Sequence, residues 1–291
     1  MTRALIVVVV AGCSAPAVSH PQGGAAPLSL AADAQMILVP AGQYVAGSTP
    51  EERQAAYDDF ASTSHDDTAR EHHWFDGEDD RHVVEQQAAF HIDLMPVTQG
   101  EFAEFVGAGG AQPPAIDEAA WKRQGFAQDY ATQVARFVWK DGSPPAGRVD
   151  HPVVLVTWDE ASHYCQWRGQ QVGAPRRLPT ESEYEKAARG DSGIAYPWGN
   201  NFESDKLDSA VAGPGDTMPV GSFVKGASPY GVLDAAGNVF EWTATPFKTG
   251  QMTVKGSSWE DYAGVGRGAS RHGRPPGVRH AIIGFRCASD A

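Results

Sequence analysis

Trp259-Glu260-Asp261-Tyr262 sets two adjacent carboxylates between two aromatic rings, and Arg267, Arg271, His272, Arg274 and His280 follow closely in the chain. A carboxylate held against aromatic surface loses hydration, so its pKa rises toward neutrality and it becomes useful as a general acid or base. Arginines nearby supply the forked donors that hold an anionic substrate. The same residues also suit a plainer role, in which Glu260 and Asp261 cap a turn and pair with those arginines. Residue types alone leave both roles open. His272 and His280 are the weaker candidates, because single loop histidines more often pack or face solvent than do chemistry.

A second concentration of chemistry-bearing side chains lies between Thr49 and Asp80, continuing to His82. His65, His72, His73 and His82 stand among Asp66, Asp67, Glu71 and the acidic run Asp76 to Asp80. Histidine and carboxylate suit a transition metal, but the spacing matches no common zinc pattern. The expectation here is a solvated polar insertion.

The elements that would position these groups carry clear signals. Met36 to Val39 and the alternation at Tyr44-Val45 read as opening strands, and His91 to Leu94 as another. Thr98-x-x-Glu101, Thr157-x-x-Glu160 and Thr180-x-x-Glu183 are capping boxes. They open helices that face inward with Phe102, Phe105 and Val106, with Ala161, Tyr164 and Cys165, and with Tyr184, Ala187 and Ala188. The second helix is expected to stop at Gly169 and the third at Gly190. Beyond Trp198 the chain is punctuated by turns, with Val254 and Ile282-Ile283 as the late strand positions. Thirty-two glycines and 20 prolines fit a loop-rich fold.

Met1 to Gly12 reads as an export signal that closes on Cys13, the position acylated in a bacterial lipoprotein. Residues 13–35 read as a flexible tether and residues 36–291 as one domain. Export implies a periplasmic location, with membrane attachment only through a lipid on Cys13. It places Cys165 and Cys287 in an oxidising compartment, where they either pair or stay buried as inert thiols. A buried thiol is the default for Cys165 on its apolar helix face. The formal charge of −13 argues against a nucleic-acid partner. There is no glycine-rich phosphate loop, nucleophile elbow, Cys-x-x-Cys, or flavin or nicotinamide motif.

Several short motifs occur in a fixed order: Val39-Pro40-Ala41-Gly42, Pro96-Val97-Thr98, His151-Pro152-Val153, Arg177-Leu178-Pro179-Thr180-Glu181-Ser182-Glu183, Tyr196-Pro197-Trp198-Gly199, Tyr230-Gly231-Val232-Leu233-Asp234, Gly237-Asn238-Val239-Phe240-Glu241-Trp242 and Gly284-Phe285-Arg286. Together they resemble the formylglycine-generating-enzyme-like (sulfatase-modifying-factor) family from about Met36 to the end of the chain. The resemblance implies an α+β fold related to C-type lectins with little regular secondary structure.

In that family the best-known reaction uses copper on two thiolates. The corresponding stretch here, Gly256 to Gly266, has no cysteine. Carboxylate is a poor ligand for Cu(I), so neither copper nor formylglycine formation is expected. The resemblance puts Glu260 and Asp261 near the position of the first family thiol. It favours Glu260 as acid or base, with Asp261 and His272 beside it and Trp259, Tyr262, Arg267, Arg271 and Arg274 against substrate.

Of the family's branches, the exported one that acts late in pyoverdine siderophore maturation fits best. It implies a small peptide-like substrate and a two-electron oxidation of a dihydro-chromophore. The family also implies a structural calcium ion, here on Asp234, Gly237, Val239 and Glu241, with a second site beginning near Asp208. The other class of function is a non-catalytic binding or scaffold protein of the same fold.

Overall fold

The computed structural model describes residues 35–126 and 128–291. The signal at residues 1–12, Cys13 and nearly all of the tether lie outside the described residues. The strands, in chain order, are β1 (Met36–Val39), β2 (Gly42–Ala46), β3 (His82–Gln86), β4 (Phe90–Asp93), β5 (Phe240–Lys248), β6 (Gln251–Lys255), β7 (His272–Arg274), β8 (Ile283–Gly284) and β9 (Ala288–Asp290). The helices are α1 (Pro50–Ser64), α2 (Thr68–Glu71), α3 (Gln99–Gly107), α4 (Glu118–Arg123), α5 (Trp158–Val172) and α6 (Glu181–Arg189).

Strands from the two ends of the domain meet in an antiparallel sheet of order β1-β4-β9, while β2 and β3 pair separately. The third sheet has the order β7-β6-β5-β8, antiparallel except for β5 with β8. Helices and short sheets thus mix in one α+β domain.

All three capping boxes form. Thr98, Thr157 and Thr180 each accept from the backbone three residues on, and Glu101, Glu160 and Glu183 reach back to the cap N–H. α6 ends at Gly190 as its sequence indicates. α5 does not stop at Gly169 but runs to Val172, with left-handed Gly173 (φ 71°) closing it. Gly169 is small for a different reason: a Cβ there would sit 2.6 Å from the Arg176 backbone nitrogen.

The polar insertion is the larger correction. Thr49 and Glu52 make a fourth capping box, which opens α1. Ala56, Tyr57 and Phe60 then line one face and are buried. Those three apolar residues dock an otherwise acidic helix onto the domain. Phe60 packs edge-on against Trp74 and Tyr262, at 5.3 and 5.7 Å between ring centres. Thr63 Oγ1 accepts from the Ala263 N–H at 3.2 Å. Gly264, at φ +88°, passes so close to α1 that a Cβ would lie 2.5 Å from the Ala56 carbonyl. The stretch therefore walls one side of the 256–266 loop. His65, His72, His73 and His82 stay exposed on its outer surface, and no cluster of three or more metal-ligating side chains occurs among the described residues.

Two features lock the late strands in place. Cys165 of α5 and Cys287 form a disulfide with Cα atoms 5.6 Å apart, so the default of a buried thiol gives way to the paired alternative. Arg286, fully buried, meets both carboxylate oxygens of Glu241 at 2.7 Å and donates to the carbonyls of Asp93, Leu94, Leu233 and Asp234.

Candidate active site

The chain leaves β6 through Lys255 and Gly256 into the loop that bears Glu260 and Asp261. Ser258 opens its first turn. The Asp261 carboxylate accepts from the Ser258 N–H at 2.8 Å and from its hydroxyl at 2.6 Å, while the Asp261 carbonyl accepts from Ala210 N–H. Burial pushes Asp261 up to about 6, and the two Ser258 bonds hold it from going higher. Asp261 is thus the turn cap, and its partner is a serine rather than an arginine.

Glu260 is placed differently. One carboxylate oxygen accepts from the Gln128 side-chain amide at 2.7 Å. Burial first, and then the Asp261 charge, push it up to about 7, opposed by Gln128 and by the more distant Arg136 and Arg274. Glu260, Asp261 and Arg274 are enclosed by protein on most sides yet each keeps a share of surface open to solvent. A carboxylate that is half ionised near neutral pH and reachable from solvent can take or give a proton.

Trp259 is buried, its ring stacked on Phe137 at 6.1 Å and covered by the Arg136 guanidinium at 5.0 Å. Gln128, Arg136 and Phe137 come from the segment after α4, which includes a π-helical turn at Tyr130–Val134. Sequence reasoning missed all three residues. A lone Gln carries no signal, and nothing in Arg136-Phe137 marks it. Ser258-x-x-Asp261, by contrast, is a legible capping pattern.

Other expected residues are engaged elsewhere. Arg267 pairs with buried Glu78 and lies over Phe75. Arg271 pairs with Asp79 and Glu181. Residues 78–79 of the insertion and α6 supply their carboxylates. Tyr262 packs on Phe60 of α1. His272 meets Ser270 Oγ at 3.2 Å, not the carboxylates, and its ring packs edge-on to Phe240 and Trp74. Burial, with neighbouring cations, pushes His272 down to about 3, so it is neutral at working pH and is corrected from catalyst to packing residue. His280 is likewise held at about 3 by burial, between Phe126 and Trp121.

Of the expected calcium positions Asp234, Gly237, Val239 and Glu241, Glu241 meets Arg286 with both oxygens and also accepts from the Tyr184 hydroxyl at 3.1 Å. Asp234 accepts from Gly221 N–H at 2.6 Å. Nearby Asp208 has neither carboxylate oxygen hydrogen-bonded, and burial beside Asp234 and Asp216 pushes it up to about 8. Cys165 and Cys287, the cysteines among the described residues, are joined to each other.

A mixed α+β domain whose 256–266 loop holds a largely enclosed carboxylate raised toward neutrality defines the class: a formylglycine-generating-enzyme-like architecture. Residues 25–291 match the sulfatase-modifying factor enzyme 1-like domain, and the chain belongs to that family. It is similar to mouse inactive C-alpha-formylglycine-generating enzyme 2, 34% identical over 239 residues that cover 69% of this chain and 75% of the mouse protein. It is 32% identical to the hercynine oxygenase of Mycolicibacterium smegmatis over 259 residues, 77% of this chain and 58% of that longer protein. In fold it is similar to PvdO from Pseudomonas aeruginosa, with a TM-score of 0.65 at 22% identity over 88% of this chain and 94% of that one.

Proposed function

We propose that this protein is an exported oxidative tailoring enzyme in which Glu260 is the proton acceptor. The observation that carries the proposal is the Glu260 carboxylate, raised to about 7 and with part of its residue still open to solvent, in the loop to which the family resemblance assigns the first thiol. A family relative named as an oxygenase supports the reaction class. The substrate we favour is the dihydro-chromophore of a pyoverdine-type siderophore precursor, a small peptide-like metabolite met in the periplasm. Two hydrogens leave the substrate as its ring gains a double bond. Glu260 takes one as a proton, the other leaves with both electrons to dioxygen as hydroperoxide, and the proton on Glu260 then passes to that hydroperoxide, which leaves as hydrogen peroxide. No step is routed through copper or calcium.

The rival function is a non-catalytic binding or scaffold protein anchored at Cys13. Similarity to a relative named inactive favours it, as does the Arg136 and Phe137 cover over Trp259. Deleting the gene, profiling exported metabolites and complementing with Glu260→Gln separates the two. Acid/base catalysis typically contributes about 10²–10⁴-fold, so the variant should leave reduced precursor to accumulate. Restored product with Glu260→Gln would remove Glu260 from the chemistry. A metabolite profile unchanged by the deletion would favour the scaffold.

A further inference from the structure

Glu260 and Asp261 are neighbours on one loop, yet their oxygens are engaged differently. Asp261 gives Oδ2 to the N–H and hydroxyl of Ser258, within its own loop. The side chain of Glu260 is met from outside the loop, where Gln128 Nε2 donates to Oε1 at 2.7 Å. Oε2 has no hydrogen-bond donor among the described residues, and part of the residue is open to solvent. The charged groups that face Glu260 are Asp261 of its own loop, Arg274 of β7 and Arg136 of the segment after α4.

Gln128 is itself held from both sides. Its carbonyl accepts from the Trp121 indole N–H at 3.0 Å. That indole is buried against Phe126 and His280, with ring centres 5.0 Å away in each case. The next residue, Asp129, caps the π-helical turn by accepting from the Thr132 N–H at 3.0 Å and from its hydroxyl at 2.8 Å. With its backbone fixed before and behind, the side chain delivers its amide to one place at little further cost in chain entropy.

The contact has a chemical direction. An ionised carboxylate only accepts, so the amide presents its N–H to Oε1. An oxygen already accepting an N–H is the poorer base of the two. An arriving proton therefore settles on Oε2, and Oε1 becomes the carbonyl oxygen of the acid, still able to accept from Gln128. The bond to the charged form is the stronger one. Gln128 thus favours the ionised carboxylate against the burial that opposes it.

We propose that Gln128 is the positioning residue of this site, pinning Oε1 of Glu260 so that Oε2 is the oxygen that takes the proton. Gln128 acts through Glu260 and carries no proton of its own in the reaction. That the proton comes from a substrate rests on the function proposed above; the grip of Gln128 on Glu260 does not.

The test follows the Glu260 carboxyl itself. Full-length protein labelled with carbon-13 at glutamate Cδ is titrated by NMR from about pH 4 to about pH 10, and Glu260→Gln identifies the resonance by deleting it. Gln128→Met keeps the length of the side chain and loses the donor. It should move the Glu260 midpoint up and cut the ionised fraction at pH 7 at least about threefold. Gln124→Met is the control, since Gln124 exchanges two hydrogen bonds with the Arg279 backbone. It should unfold at lower urea without moving the Glu260 titration. If Gln128→Met does not fold, Gln128→Asn keeps an amide that falls short of Oε1, and should move the midpoint the same way by less. A midpoint that stays put or moves down in the Gln128 variants, or that Gln124→Met raises as much as Gln128→Met does, would overturn the proposal. A Glu260→Gln strain that still makes product would remove the proton acceptor named above, while an upward midpoint in Gln128→Met would uphold the contact as assigned.

Discussion

Replacing Glu260 with glutamine should stabilise the fold, and should do so increasingly as pH rises. Glu260 is displaced from 4.5 to about 7 in the folded protein, chiefly by burial. At 1.36 kcal/mol per unit, that is about 3 kcal/mol, trimmed to about 2–3 kcal/mol by the part of the side chain that water reaches. The folded state holds this proton more tightly than the unfolded chain does. The stability it confers is complete below pH 4.5, is lost as pH rises from 4.5 to 7, and falls no further above that window. Glutamine copies the protonated acid, keeps the acceptor that Gln128 uses, and cannot ionise. Urea unfolding of the disulfide-intact wild type and Glu260→Gln at pH 4, 6 and 8 measures the difference. The two should agree at pH 4, and the variant should lead by about 2–3 kcal/mol at pH 8. A difference that stays flat with pH, or a variant that is weaker at pH 8, would show that Glu260 carries no such strain.

The Asp208 carboxylate, raised to about 8 by burial and by Asp234 and Asp216, has the same sign of effect over pH 4–8; in calcium-free buffer Asp208→Asn should remove up to about 1.4 kcal/mol per pH unit of stability loss, read from the same melts. Glu241→Gln breaks a buried pair with Arg286 and should cost about 3–5 kcal/mol by urea denaturation; a smaller loss in Glu241→Gln than in an exposed control such as Glu118→Gln would refute that role. Cys165→Ser/Cys287→Ser opens a bridge between residues 122 apart in sequence and should cost about 2–5 kcal/mol, matched by adding reductant to the wild type.

Much of the frame was legible because its signals are local. A Thr and a Glu three residues apart decide a helix start by themselves, and alternating apolar residues decide strands such as β2. The same rule applied at Thr49 and Glu52 would have found α1, but the surrounding acids disguised it. Only three apolar side chains, Ala56, Tyr57 and Phe60, dock that helix, and one partner, Tyr262, lies far along the chain. The site divides in the same way. Glu260 could be picked out from its neighbours, and Asp261's fate was written in Ser258. The commitments of Arg267 and Arg271 could not be, because Glu78 and Glu181 are distant in sequence. Gln128 reaches Glu260 across 132 residues, and no spacing pattern reports a contact of that kind.

The Cys165–Cys287 bridge turns the stretch between those residues into a covalent ring. Glu260, Asp261 and Arg274 ride inside the ring, while Gln128, Arg136 and Phe137 reach them from outside it. Apart from the backbone that runs from Phe137 to Cys165, the two halves of the site are held together by contacts such as the 2.7 Å Gln128 hydrogen bond and the Arg136 stack on Trp259. A protease cut inside the ring leaves the chain in one piece until it is reduced, whereas a cut between Phe137 and Cys165 leaves the lining and the acid joined by those contacts alone.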